Sequence, residues 1–181
     1  MVNIKVNKAV FIDRDGVINQ SNVVNRKPFA PTHLDDFLIL PGVREALQKF
    51  KKADYKIVIV TNQPDLSTGK QTLYSLNEIH SYLKTQCDID LIKVCGHINE
   101  DQCSCRKPKP GLIIDASIEL DIDLTQSFMI GDRWSDIEAG QKAGCKNSFY
   151  IDYEYNEKKP SGIFTVVKSL KDCAGIVLNP F

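Results

Sequence analysis

The chain lacks any apolar run approaching the roughly 20 residues that a membrane-spanning helix needs, which sets aside an integral membrane protein. Its start, Met1-Val2-Asn3-Ile4-Lys5, has no apolar core of the signal-peptide kind, so a cytoplasmic protein is expected. Neither charge is in surplus: 23 Lys and Arg stand against 23 Asp and Glu, for a formal net charge of zero. That balance provides no basic face for nucleic acid and no attraction to an anionic membrane. There is no internal repeat and no low-complexity tract. What remains is an ordinary globular composition, 43% apolar and 25% charged over 181 residues, enough for a single domain (1–181) with a sizeable core. Six cysteines are present, and in a reducing compartment they are thiols or metal ligands rather than disulfides.

Strand and helix patterns alternate along the chain. Residues 10–12, 57–60, 89–94, 127–130 and 147–151 read as short buried strands, with a last strand near 164–167 followed by a short helix. Between them, residues 43–53 carry Val43, Ala46, Leu47 and Phe50 at helical spacing. Residues 70–85 carry Leu73, Leu76, Ile79 and Leu83 on one helical face, with His80 on the same helix. A third helix starts after Pro110-Gly111 and runs to about Leu120, and a fourth from Ser135 to Ala143 stops at Gly144. This order predicts an α/β fold, a Rossmann-like doubly wound parallel sheet with helices on both faces. Residues 19–33 read as a polar loop, long enough to be functional.

In such a sheet the ligand crevice lies at the carboxyl ends of the strands. Polar residues stand at three of those ends. Asp13 and Asp15 follow the first strand, where a spacing of two keeps both carboxylates on one side of an extended chain. Gly16 then lets the backbone turn sharply or approach a ligand closely. Thr61 and Asn62 end the second strand and Asp132 the fourth. Alone, the first stretch reads equally well as a strand and a polar turn; the convergence of three ends favours a metal-assisted site.

Cys95-Gly96-His97 followed by Cys103-Ser104-Cys105 supplies three thiols and one imidazole, a closed tetrahedral zinc set brought together by a short loop. The intervening residues are polar apart from Ile98, so a metal would fix a loop that has little else to hold it. The alternative is a surface loop of unmetallated cysteines. Cys87, Cys145 and Cys173 lack partners at ligand spacing and are expected to be buried thiols. Trp134 reads as packing near the rim.

Four separated pieces together resemble the haloacid dehalogenase (HAD) superfamily, subfamily IIIA: Asp13-Arg14-Asp15-Gly16-Val17, Thr61, Lys107 within Arg106-Lys107-Pro108-Lys109-Pro110, and Gly131-Asp132-Arg133-Trp134-Ser135-Asp136. The resemblance implies phosphomonoester hydrolysis through an aspartyl-phosphate. Asp13 would be the nucleophile, and Asp15 would protonate the leaving alkoxide and then activate water. A magnesium ion held by Asp13, the Asp15 backbone carbonyl and Asp132 would offset charge at the phosphate, with Asp136 orienting its water shell or Lys107. Thr61 and Lys107 would hold phosphoryl oxygens. By spacing alone Lys109 competes with Lys107, and Thr61 could be a cap or turn residue.

Cys-x-His with Cys-x-Cys-Arg-Lys-Pro resembles the D-glycero-D-manno-heptose 1,7-bisphosphate phosphatases and the histidinol-phosphatase domains, which are small, lack a large cap domain and carry this zinc loop. That resemblance implies a small phosphorylated sugar or metabolite as substrate, two ions (catalytic magnesium and structural zinc) and a monomer. Asn19, Asn62, Gln63, Arg106 and Arg133 are the matching substrate contacts, with the two arginines suited to a second, non-reacting phosphate. The heptose substrate, in lipopolysaccharide or surface-polysaccharide synthesis, is the first expectation and histidinol phosphate the alternative. A non-catalytic, zinc-stabilised phosphate- or partner-binding module is disfavoured, because every reactive position is filled.

Overall fold

The computed structural model describes residues 6–179. The Met1–Lys5 start, on which the leader expectation rested, lies outside them. Six strands form one parallel sheet in the order β5-β4-β1-β6-β7-β8. They are β1 (Lys8–Ile12), β4 (Tyr55–Asn62), β5 (Leu91–Cys95), β6 (Phe128–Gly131), β7 (Asn147–Ile151) and β8 (Thr165–Val167). The chain first builds outward from β1 through β4 and β5, then returns to the other side of β1 for β6, β7 and β8. That reversal opens the crevice at the carboxyl ends of β1, β4 and β6.

Alternation along β1 feeds two separate cores. Val10 and Ile12 pack with Val43, Leu47, Phe50, Ile79 and Leu83, under helices α1 (Val43–Lys52), α2 (Leu73–Gln86) and α5 (Leu170–Leu178). Ala9 and Phe11 face the other way, toward Leu112, Ile113 and Ala139 of α3 (Gly111–Glu119) and α4 (Trp134–Ala143). All four strand residues are fully buried, which for the larger side chains is worth about 1.5–3 kcal/mol each. A strand buried on both faces is why this run is continuously apolar instead of alternating with polar residues. No helix among the described residues is long and apolar enough to cross a membrane.

The elements differ from the sequence expectation in two places. Helix α2 begins at Leu73 instead of Lys70, because the Thr72 side chain accepts the Ser75 N–H at 3.1 Å and caps the helix there. The polar loop at 19–33 contains an antiparallel hairpin, β2 (Asn22–Val24) and β3 (Lys27–Phe29). Its turn is Asn25-Arg26, both left-handed at φ 51° and 59°, so it lacks the Asn-Gly signature that marks such turns in a sequence. Arg26 ties the hairpin down by donating to the Glu154 carbonyl at 2.9 and 2.6 Å. Of the three cysteines expected to be buried, Cys87 and Cys173 are, while Cys145 is only partly covered at the edge of the α3–α4 core.

Candidate active site

The sheet carries its acids to one place. Asp13 leaves the end of β1, with its N–H bonded to the Ile130 carbonyl at 2.9 Å, and Asp132 leaves the end of β6 beside it. Gly16 turns with φ 92°, and a Cβ there would stand 1.9 Å from Asp132 Oδ2, so only glycine allows this approach. Asp136 lies in the first turn of α4, where its Oδ2 accepts the Arg133 N–H at 2.9 Å. Asp13, Asp132 and Asp136 are all buried, and each offers an oxygen to one compact cluster.

Lys107 enters this cluster from the segment after β5. Its Nζ donates to Asp13 Oδ1 at 2.6 Å and to the Val60 carbonyl at 2.7 Å, and it pairs with Asp136 Oδ1 at 2.7 Å. Lys109 points elsewhere: its Nζ donates to the carbonyls of Gln102 and Cys103. Three carboxylates against one ammonium leave two negative charges unmatched in a buried space. Burial accordingly pushes Asp13 up to about 7 despite the opposing Lys107, and it holds Asp132 well above the usual carboxylate range. Asp132 Oδ1 is buried with no hydrogen-bond partner among the described residues. An unmatched double negative charge and an unpartnered carboxylate oxygen fit a hard divalent cation such as magnesium.

Asp15 is held separately from that cluster. Arg14 donates to Asp15 Oδ1 from Nε (3.1 Å) and Nη2 (3.0 Å), and from Nη2 to Oδ2 at 3.0 Å. Asn19 adds a donor to Oδ1 at 3.0 Å, and Gln63 adds one to Oδ2 at 2.7 Å. The same Gln63 amide donates to Thr61 Oγ1 at 2.8 Å, linking the ends of β1 and β4. Asn62 grips the Lys107 backbone in both directions at 3.1 Å. Asn19 and Gln63, read from sequence as substrate contacts, are thus fully buried with their amide nitrogens donating to Asp15, and the Asn62 amide is spent at both ends on the Lys107 backbone. Arg106 donates to Asn99 Oδ1 and to the His97 carbonyl, so its guanidinium is folded onto the cysteine loop. Arg133 lines a shallow cleft of about 200 Å³ with Arg26, Lys27 and Glu157, and donates to Glu157 Oε2 at 2.6 Å.

The loop following β7 supplies groups that no sequence motif marked. The Tyr155 hydroxyl donates to Asp132 Oδ2 at 2.9 Å, and the Tyr153 hydroxyl donates to the Gly16 carbonyl at 3.0 Å. Their separation from the motifs left no signal to find. Trp134 sits at the rim with the Lys158 ammonium 3.6 Å from its ring centre, in keeping with packing.

The second cluster is Cys95, at the end of β5, with His97, Cys103 and Cys105. Cys95 Sγ lies 3.1 Å from Cys105 Sγ and 3.7 Å from Cys103 Sγ, and His97 Nδ1 lies 3.3 Å from Cys105 Sγ. Ligands about 2.3 Å from a tetrahedral zinc stand roughly 3.5–3.8 Å apart, so the donor set fits zinc, with Cys105 lying closer to Cys95 and His97 than bound ligands would. Burial and the neighbouring thiols push Cys105 up to about 12, a cost that a bound cation would remove.

A family model described as haloacid dehalogenase-like hydrolase matches residues 20–144. A Helicobacter pylori protein named D-glycero-beta-D-manno-heptose-1,7-bisphosphate 7-phosphatase is 40% identical, covering 80% of this chain and 84% of the relative. The histidine biosynthesis bifunctional protein HisB of Blochmanniella floridana is 36% identical over 84% of this chain but only 43% of its own length. The crystal structure of D,D-heptose 1,7-bisphosphate phosphatase from B. bronchiseptica, complexed with magnesium and phosphate, superposes with a TM-score of 0.80 at 30% identity, covering 94% of this chain and 98% of that one. Sheet order, crevice and sequence likeness agree, and the chain belongs to the haloacid dehalogenase-like hydrolases.

Proposed function

We propose that the chain is a magnesium-dependent phosphatase that removes the 7-phosphate of D-glycero-D-manno-heptose 1,7-bisphosphate, in the synthesis of surface polysaccharide. The observation that carries the chemistry is the meeting of Lys107 with Asp13 and Asp136 at the crevice, with Asp15 clamped on the side nearest Arg14 and Gln63. The substrate rests on likeness to the heptose phosphatases.

In this mechanism Asp13 Oδ attacks phosphorus, the bond to the sugar oxygen breaks, and Asp15 delivers a proton to that oxygen. Asp15 then takes a proton from water, whose oxygen attacks the aspartyl-phosphate and returns Asp13 with release of phosphate. Asp13, Asp132 and the Asp15 backbone carbonyl would hold the magnesium ion, with Asp136 beside it. When bound, that ion supplies positive charge against the phosphoryl oxygens. Lys107 keeps Asp13 aimed and, with the Thr61 hydroxyl, holds the phosphoryl group. Asn19 and Gln63 act by orienting Asp15, and Asn62 by fixing Lys107. Arg133, in the cleft beside Asp132, is the residue best placed for a second phosphate. Zinc on Cys95, His97, Cys103 and Cys105 would anchor the loop that delivers Lys107.

Likeness to HisB supports a second substrate, histidinol phosphate. A phosphate-release panel with magnesium, comparing both anomers of the heptose bisphosphate with histidinol phosphate, separates the two. Preference for histidinol phosphate overturns the heptose reading, and unchanged release by Asp13→Asn overturns the nucleophile. The proposed setting is a single-domain monomer in the cytoplasm, where the six cysteines, all unpaired here, stay reduced.

A further inference from the structure

Arg14 heads the large, fully buried side chains among the described residues, and the chemistry above gives it no direct part. A guanidinium in that position needs partners for every N–H it turns inward, since it has donors only and cannot shed its proton. Nε and Nη2 are used on Asp15. Nη1 lies 3.1 Å from Nε2 of His80, which reaches across from α2. The face of the guanidinium is covered by the Phe37 ring, with its centre 5.8 Å from Cζ. Phe37 in turn packs edge-on against Tyr82 of the same helix.

We propose that His80 is a positioning residue for the phosphatase reaction: by accepting from Arg14 it fixes the guanidinium fork that aims the Asp15 carboxylate. This rests on the role of Asp15 in the proposed function. The direction of the hydrogen bond follows from chemistry. Arg14 can only donate, so His80 Nε2 accepts, and the ring is neutral with its proton on Nδ1. Burial and the adjacent Arg14 charge, which lower His80 to about 4, keep the ring in that form at neutral pH. Without an acceptor at this point the guanidinium would lose one of its three anchors, and its fork could rotate in its plane away from Asp15. Helix α2 would then bear on catalysis although none of its side chains touches the acids of the metal cluster.

The test compares His80→Leu with His80→Gln, whose side-chain carbonyl can still accept from Arg14. Rates are measured on the heptose bisphosphate and on para-nitrophenyl phosphate with saturating magnesium. His80→Leu is expected to lower kcat about tenfold with KM within about twofold, while His80→Gln recovers to within about threefold of the wild type. Thermal midpoints are recorded for both variants. Equal kcat in the two variants, or a loss that follows the thermal midpoint or falls on KM, overturns the proposal. Wild-type turnover of para-nitrophenyl phosphate alone refutes the heptose substrate and leaves this comparison intact; turnover of neither overturns the positioning role together with the activity it serves. Nitrogen-15 NMR of labelled wild-type protein gives a readout independent of turnover: an unprotonated Nε2 at neutral pH is expected, and a proton found on Nε2 overturns the proposal.

Discussion

The Tyr155 hydroxyl donates to Asp132 Oδ2 at 2.9 Å, leaving Oδ1 of the same buried carboxylate without a protein partner. One oxygen is thereby fixed and the other is kept for a cation. Burial and the Asp132 charge push the phenol up, so it stays a donor. Tyr155→Phe keeps the ring and removes this bond. Magnesium affinity, measured by titration calorimetry, is expected to fall by about 10-fold or more, with stability lowered by only about 1 kcal/mol. Unchanged affinity would show that Asp132 needs no such brace.

Magnesium and protons compete for the same carboxylates. Asp13, at about 7, and Asp132 hold protons in the metal-free fold that the unfolded chain releases near 4. A carboxylate raised on folding favours the fold at low pH, so metal-free stability declines as pH rises above about 4, and the share contributed by Asp13 is lost by about 7. Bound magnesium replaces those protons. The rise in melting temperature on adding excess magnesium is therefore expected to be larger at about pH 8 than at about pH 5. An equal or larger rise at the lower pH contradicts the cluster as a cation site.

Lys107 pairs with two buried acids at once. Lys107→Ala strips the ammonium from both, a change of the kind that costs about 3–5 kcal/mol when a buried partner is left alone. Activity is expected to fall by about 10²–10³-fold or more, as when a group aimed at the reacting centre is removed. Lys109→Ala, touching only loop carbonyls, should leave kcat within about threefold. Comparable losses in both variants would mean the lysine assignment is incorrect.

The cysteine cluster is expected to carry about one zinc per chain after native purification, by metal analysis. Cys105→Ser removes the thiol that lies within 3.3 Å of both Cys95 Sγ and His97 Nδ1 and would be a zinc ligand. Because Lys107 follows it by two residues, kcat should drop along with stability, and increased proteolysis should map to residues 96–110. A zinc-free variant with full kcat would separate the loop from catalysis.

The acids and the cysteines were legible because each is a cue carried by neighbouring residues, whereas spacing left Lys107 and Lys109 equal and only the family resemblance favoured Lys107. Asp13 and Asp15 end a continuously apolar strand, and Cys95-Gly96-His97 and Cys103-Ser104-Cys105 show ligand spacing directly. The hairpin at 22–29 was not legible. Its strands are short and exposed, Val23 at 54% and Phe29 at 48%, so burial imposes no alternation on them, and Asn25-Arg26 carries no turn signature.

By itself the sequence determined the alternating α/β order, the strand ends that bear acids and the two candidate metal sets. Periodicity and local spacing are properties of neighbours along the chain, and a sequence displays them. Only the tertiary structure decided what holds those groups in place. Tyr155 reaches Asp132 across 23 positions and His80 reaches Arg14 across 66. It also decided that Asn19 and Gln63 donate to the Asp15 carboxylate and that Asn62 holds the Lys107 backbone. These contacts depend on where the β7–β8 link and α2 come to rest once the two faces of the sheet are packed, and burial then favours arrangements in which the enclosed donors of Tyr155 and Arg14 meet an acceptor.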